Sequence, residues 1–423
     1  MTICDTTYRN YVQILTEELI PAMGCTEPIA IAYAAAKARE VLDALPTRMT
    51  VEVSGNIIKN VKSVVVPHTG GLRGIVSAAA AGVVAGNAGR ELEVISDVTD
   101  EQIKMIKDYL QTAVIEVRHA DTPHIFDIMI TAWAGGDCAY VRIAEHHTNL
   151  VCVKKNSTTL YEKQIEQKEN GLTDRSCLSI ENIIAFADCA ALQDVEQVLR
   201  RQIEYNMAIA EEGLTKPYGA NIGKTLLKNH GSDLTCKMRA YAAAASDARM
   251  NGCEKPVIIN SGSGNQGITT SIPVIVYARE KGLTEEELLR GLCVANLVTI
   301  HLKTGIGRLS AYCGAVSAGC GAAAGIAYLQ GGRYDTIAHT VVNALAMDSG
   351  IVCDGAKASC AAKISSAIDA GILGLEMYHS GDQFYGGDGL VKKGVENTIA
   401  TIGRLAQDGM GPTDKEIIRL MME

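Results

Sequence analysis

The chain has 423 residues, 47% of them apolar, which is long and apolar enough for two domains with a large core. Aromatic residues make up only 4% against 41 glycines, so that core has to come from Ala, Val, Ile, Leu and Met on closely approaching helices. A net charge of -9 excludes a general nucleic-acid binder, which needs a basic surface.

The opening TICDTTYRNY is polar and has no secretory apolar core. The longest weakly apolar run, Ala311 to Gly325, is too short and too rich in Gly and Ser for a membrane span. A cytoplasmic protein is expected, with neither membrane nor nucleic acid as partner; a homodimer is left open. In that compartment the 13 cysteines are expected as thiols. Cys152, Cys189 and Cys293 lie in apolar surroundings and read as structural.

Thr6 to Ile20 has helical spacing through Tyr11, Leu15 and Leu19, and Pro21 stops it. GCTEPIAIAYAAAKA follows, with Thr26 as an N-cap, Glu27 and Pro28 in the first turn, and a helix to about Leu45. Cys25 then precedes a helix N-terminus, whose partial positive charge favours a thiolate. Met49 to Val53 and Val61 to Val66 are predicted strands around SGNIIKN, which contains Asn56. The Gly-rich turn PHTGGLRG (Pro67 to Gly74), with Thr69 and Gly70, is fit to hold an anion or to feed the Ala-rich helix Ile75 to Ala85.

From about Glu91 the texture changes. ELEVISDV reads as a strand and DEQIKMIKDYLQ as a helix; VIEVRHA, FDIMITAW, CAYVRIAE and LVCVKK read as strands, with His146 and His147 in a turn. The fold expected is α+β: a mainly helical catalytic body of Gly/Ala-rich helices (1–88 and 170–423) carrying a smaller inserted α+β sheet domain (89–169). Lys163 to Arg175 is a charged linker, and the chain is mostly helical from Leu178 onward. GANIGKT fails the spacing of a P-loop.

Two stretches carry the chemistry. Ser261 to Gly267 (SGSGNQG) is a Gly/Ser loop opening onto a helix, so its backbone N–H groups can hold a carboxylate at the positive end of the dipole. Ser261, Gly262, Ser263, Gly264, Asn265 and Gln266 are therefore candidate substrate contacts. The second runs from Gly307 to Cys360 and sets Cys313, Cys320, Cys353 and Cys360 among Gly, Ala and Ser. Soft thiolates with room around them suit a 4Fe–4S cluster, while the plain alternative is a tight helix pair with inert buried thiols. Cys313 and Cys320 share a helix face, and spacing does not choose between them. Lys357 and Lys363 could offset the charge of a cluster or substrate.

GCTEPIA, SGNIIKN, PHTGG, SGSGNQG, GRLSAYCG and CDGAKASC together resemble the iron–sulfur L-cysteine desulfidase family, which is related to the iron–sulfur L-serine dehydratases. The resemblance spans essentially the whole chain. It implies three cluster ligands, Cys313, Cys353 and Cys360, with Cys320 a neighbour, and it makes Cys25 the catalytic base. It implies a lyase: 4Fe–4S-dependent β-elimination of L-cysteine to pyruvate, ammonia and sulfide. Thr26, Glu27, Asn56, Thr69, Gly70, Arg308 and Lys357 join the Gly/Ser loop as candidate substrate-binding residues. An iron–sulfur L-serine dehydratase and a non-catalytic iron–sulfur sensor are the alternatives.

Overall fold

The computed structural model describes residues 4–24, 26–165, 172–231, 233–307 and 310–423. Cys25 and Arg308 lie outside the described residues. In chain order the elements begin with α1 (Asp5–Glu18), β1 (Pro21–Met23), α2 (Thr26–Leu42), β2 (Arg48–Val53), α3 (Gly55–Val61), α4 (Gly74–Ala85) and α5 (Asp100–Thr112). Five strands follow: β3 (Val114–His119), β4 (Asp127–Ala134), β5 (Asp137–Ala144), β6 (Leu150–Lys155) and β7 (Thr158–Glu162). Then come α6 (Ile180–Cys189), α7 (Glu196–Thr215), α8 (Ile222–His230), α9 (Leu234–Met250), β8 (Pro256–Ile258), α10 (Gly264–Lys281) and α11 (Glu285–Ile306). The chain closes with α12 (Gly314–Leu329), α13 (Tyr334–Asp348), α14 (Cys360–His379), α15 (Val395–Arg404) and α16 (Gly411–Met422).

The architecture is α+β and mainly helical, as expected. One sheet has the order β3-β2-β4-β5-β6-β7; β2 runs parallel to β3 and antiparallel to β4. A parallel pair needs a crossover connection, and here α3, α4 and α5 supply it. The sheet therefore draws β2 from outside the span 89–169. Its core joins residues from Ile29 to Val153, including α2 and α4, while a second core joins α1 to the helices after Leu178.

Two predicted strands are absent. ELEVISDV begins in a 3₁₀ turn over Ala88–Glu93, opened by the Asn87 side chain accepting from the Gly89 N–H and bent at Glu91 with φ 49°, and runs on through further turns. In Val61 to Val66 only Val65 pairs, in a single bridge to Arg73, because α3 runs into the segment and Pro67 ends it.

In the helical core, glycines let helices touch backbone to backbone. A Cβ on Gly319 would sit 2.4 Å from the Ala367 carbonyl oxygen, and one on Gly321 would sit 2.0 Å from Thr299 Oγ1. Small residues thus draw α12 against α14 and α11, in the style the composition requires. No helix among the described residues is long and apolar enough to cross a membrane.

Candidate active site

Two short pairings assemble the site. β1 and β8 are antiparallel, with Pro21 opposite Ile258 and Ala22 opposite Val257. The chain leaving β1 at Gly24 is thereby laid beside the loop leaving β8 at Asn260. The second pairing is the bridge between Tyr312 and Val352, which joins the segment before α12 to the segment before α14.

These pairings frame a cleft with a cavity volume of about 140 Å³, partly open to solvent. Cys313, Cys353 and Cys360 form one wall, together with the small residues Gly314, Ala315, Gly355 and Ala356. Thr26, Glu27, Gly262, Ser263, Asn265 and Gln266 also line it, and Gln266 packs against Gly314. Cys320 is fully buried on α12 and does not line the cleft.

Burial, then the neighbouring Cys353 thiol, pushes the Cys313 pKa up to about 12, and burial raises that of Cys360. Thiols so placed are protonated by themselves, and metal ligation releases those protons. Two lysines offset negative charge here. Lys303 is 5% exposed, and burial draws its pKa down to about 8 against the pull of Cys353 and Cys313. Lys363 donates to the Val352 carbonyl at 2.9 Å and pairs with Asp354. Among the described residues no group of three or more His, Cys, Asp or Glu is placed to hold a single metal ion. A four-iron cluster takes each cysteine on a different iron and so spaces its ligands more widely. Three thiols lining one cleft, small residues beside them and nearby cations fit such a group.

The Gly/Ser loop is held by buried amides. Asn260 Nδ2 donates to Asn296 Oδ1 at 3.0 Å, Gln202 Nε2 donates to the same oxygen at 3.0 Å, and Ser261 Oγ donates to Asn260 Oδ1 at 2.8 Å. Ser261 and Gly262 have φ of 50° and 77°, so the loop turns sharply into the N-terminus of α10. Asn265 Oδ1 accepts from Ser246 Oγ and from Arg249 Nη1, each at 3.3 Å, which turns its amide nitrogen away from both. Gln266 is 6% exposed and its Oε1 has no partner among the described residues. In the same cleft, Glu27 accepts from Asn60 Nδ2 at 3.2 Å and from the Thr26 hydroxyl at 3.4 Å. The Thr26 hydroxyl also lies 2.9 Å from His147 Nε2, so the turn carrying His147 reaches the rim.

Other residues singled out from the sequence lie elsewhere. Thr69 is fully buried, and its hydroxyl donates to the Val66 carbonyl at 2.7 Å. Gly70 has φ 66° in the same turn. This turn does not line the cleft; it props it, since Pro67 Cγ lies 3.0 Å from where a Cβ on Gly24 would be. Asn56 faces a neighbouring cavity beside residues 119–125 and α16, and its Oδ1 has no partner among the described residues. Ser261 lines a smaller cleft with Glu18 and Arg175. Gly264 packs under Arg249. Lys357 is paired with Asp354 at 2.7 Å.

Lys59, Asn60, Arg249 and Lys303 line the cleft but were not singled out. Lys59 and Asn60 belong to SGNIIKN, where Asn56 drew attention instead. For Arg249 the signal was Ser246, Asp247 and Arg249 closing a run of alanines.

The profile of the serine dehydratase alpha chain matches residues 89–419. The chain belongs to the serine dehydratase alpha-chain family. Relatives in the same similarity range carry the name UPF0597 protein. One from Desulfitobacterium hafniense (strain Y51) is 58% identical over 99% of this chain and 97% of its own length. Others from Treponema denticola and Lachnoclostridium phytofermentans are 49% and 48% identical, over 100% and 98% of this chain and 100% of each relative. Membership of the serine dehydratase alpha-chain family supports a lyase-type role.

Proposed function

We propose that this protein is an L-cysteine desulfidase, using a 4Fe–4S cluster to eliminate sulfide from L-cysteine. The observation that supports it most is that Cys313, Cys353 and Cys360, distant in sequence, line one cleft together with the N-terminus of α10. These three thiols would hold the cluster. When bound, it supplies a Lewis-acidic iron left open by having only three protein ligands.

The chain's own residues bind and orient the amino acid. Backbone N–H groups at the start of α10 hold the carboxylate. The Glu27 carboxylate, positioned by Asn60 and Thr26, and the Gln266 Oε1 acceptor face the ammonium. Cys25, between Gly24 and Thr26 in the chain, takes the α-proton as its thiolate. The electron pair of that C–H bond becomes the Cα=Cβ bond as the Cβ–S bond breaks and sulfide leaves. The released aminoacrylate takes up water to give pyruvate and ammonia.

The family's description as serine dehydratase favours a second reading, loss of water from L-serine by the same groups. Anaerobic reconstitution with iron and sulfide, followed by assays on both amino acids, separates the two. Equal amounts of pyruvate, ammonia and sulfide from L-cysteine are expected. Turnover of L-serine alone selects the second reading, and turnover of neither rejects both.

A further inference from the structure

Arg249 lies in the last turn of α9 and is only 9% exposed, yet it lines the cleft. Its described hydrogen bonds go to neutral acceptors: Nη2 donates to the Gly24 carbonyl at 2.8 Å, and Nη1 to Asn265 Oδ1 at 3.3 Å. Nε is buried without a partner among the described residues. A guanidinium has five N–H donors, so most of its donor capacity is unspent. A buried cation served only by neutral groups is costly, and an anion at the same place removes that cost.

The surroundings are shaped for such an anion. The guanidinium crosses the first turn of α10, where a Cβ on Gly264 would stand 2.3 Å from Nε and 2.6 Å from Cζ. Only glycine lets the fork lie there, beside free N–H groups at the positive end of the helix. Asn265 accepts from Arg249 and Ser246 through Oδ1, which leaves its amide nitrogen, turned away from the fork, as a further donor in the first turn of α10. Within the same cleft, the carboxylate of Glu27 and the buried Oε1 of Gln266 supply acceptors. Donors and acceptors lining one cleft are the complement of a free α-amino acid.

Resting on the lyase reading above, we propose that Arg249, with Asn265, is the α-carboxylate anchor of the site, and that it restricts substrates to amino acids with an unblocked carboxylate. Its bond to the Gly24 carbonyl ties the same guanidinium to the backbone that leads into Cys25, so that carboxylate and base are referred to one group.

The test uses two non-reacting probes, L-alanine, which has no β-leaving group, and L-alaninamide, which has no carboxylate. Binding is measured by calorimetry on the anaerobically reconstituted protein, with iron content and thermal unfolding as checks on folding. Wild type is expected to prefer L-alanine by about tenfold or more, the scale of hydrogen bonds to a charged group. In Arg249→Gln the preference should fall to near one, and in Arg249→Lys, which keeps the charge but loses the fork, it should fall severalfold. A purely architectural role at Gly24 would weaken both probes alike and leave the ratio unchanged. An unchanged ratio in either folded variant, or equal binding of the two probes by wild type, overturns the assignment. Wild type that binds neither probe and turns over neither L-cysteine nor L-serine overturns the lyase reading itself.

Discussion

Cys313 and Cys353 are tied through their backbones: the Cys353 N–H donates to the Ala311 carbonyl at 2.6 Å, and the Cys313 N–H donates to the Ile351 carbonyl at 3.0 Å. A single β-bridge therefore sets two of the three cleft thiols, while Cys360 is set by the start of α14. Thiols held by backbone pairing, and not by side-chain packing alone, are pre-organised for the cluster proposed above.

Replacing Cys313, Cys353 or Cys360 by Ala is expected to abolish iron and sulfide incorporation and the visible absorbance of the reconstituted protein. Cys320→Ala should keep both and lose only ~1 kcal/mol of stability, since a buried thiol behaves as a small hydrophobe. Iron content of the four variants decides it: full iron in all three of the first group removes the cluster from the proposal.

Gly355 separates Cys353 from Cys360 and has φ 90°. A Cβ there would stand 1.8 Å from the Lys59 carbonyl oxygen, a contact that backbone cannot relieve without moving. Gly355→Ala should cost at least ~2 kcal/mol through strain and displacement. It should also lower iron incorporation, because the displaced loop carries both thiols. Denaturant unfolding and iron analysis check the two parts separately; a variant as stable as wild type would show that the loop yields freely.

Much of this architecture could be read from residue order alone. Runs of Gly, Ala and Val bounded by Pro or Gly marked the helices, and cysteines among small residues marked one wall of the cleft. Alternation misled at ELEVISDV, where the Asn87 cap and the bend at Glu91 outweigh strand-like spacing. The recruitment of β2 beside β3 was hidden because a parallel pair joins segments far apart in sequence. Arg249 and Lys303 were missed for a related reason. Each is a lone cation near the end of an apolar helix, which locally reads as a solvated terminus. Only the packing of α9 and α11 against the cleft shows that both are buried.

Asp247 offers a pH test. It is 1% exposed, with Oδ2 accepting from the Gly223 N–H at 3.2 Å and Oδ1 without a partner among the described residues. Burial pushes its pKa from 3.8 up to about 6, against the hydrogen bonds from Gly223 and Ile222 and the charge of Lys224. A folded value above the unfolded one means that its stabilising contribution is complete below about pH 4 and is lost as pH rises through about 6. Asp247→Asn keeps an acceptor for Gly223 but cannot ionise. Its stability relative to wild type should rise between pH 4 and 6 and then level off, as read from urea midpoints. Parallel profiles would show that Asp247 does not titrate in this range.

The remaining prediction concerns how the end of the chain reaches the cleft. Lys59 on α3 lines the cleft and pairs with Asp414 on α16; their side chains are 1% and 17% exposed. The charge of Lys59 is thus removed from water and balanced by a residue 355 positions away. A pair this buried adds little over a well-packed apolar pair, but breaking it strands an ammonium in low dielectric. Asp414→Ala should therefore cost about 3 kcal/mol, with little dependence on salt because the pair is shielded from mobile ions. Adding Lys59→Met to that variant should recover much of the loss, giving a strong coupling in the double-mutant cycle. Denaturant unfolding of wild type, both single variants and the double variant at two ionic strengths measures each term. Additive losses would show that α16 and α3 are held by packing alone, and a large salt effect would show that the pair is open to solvent.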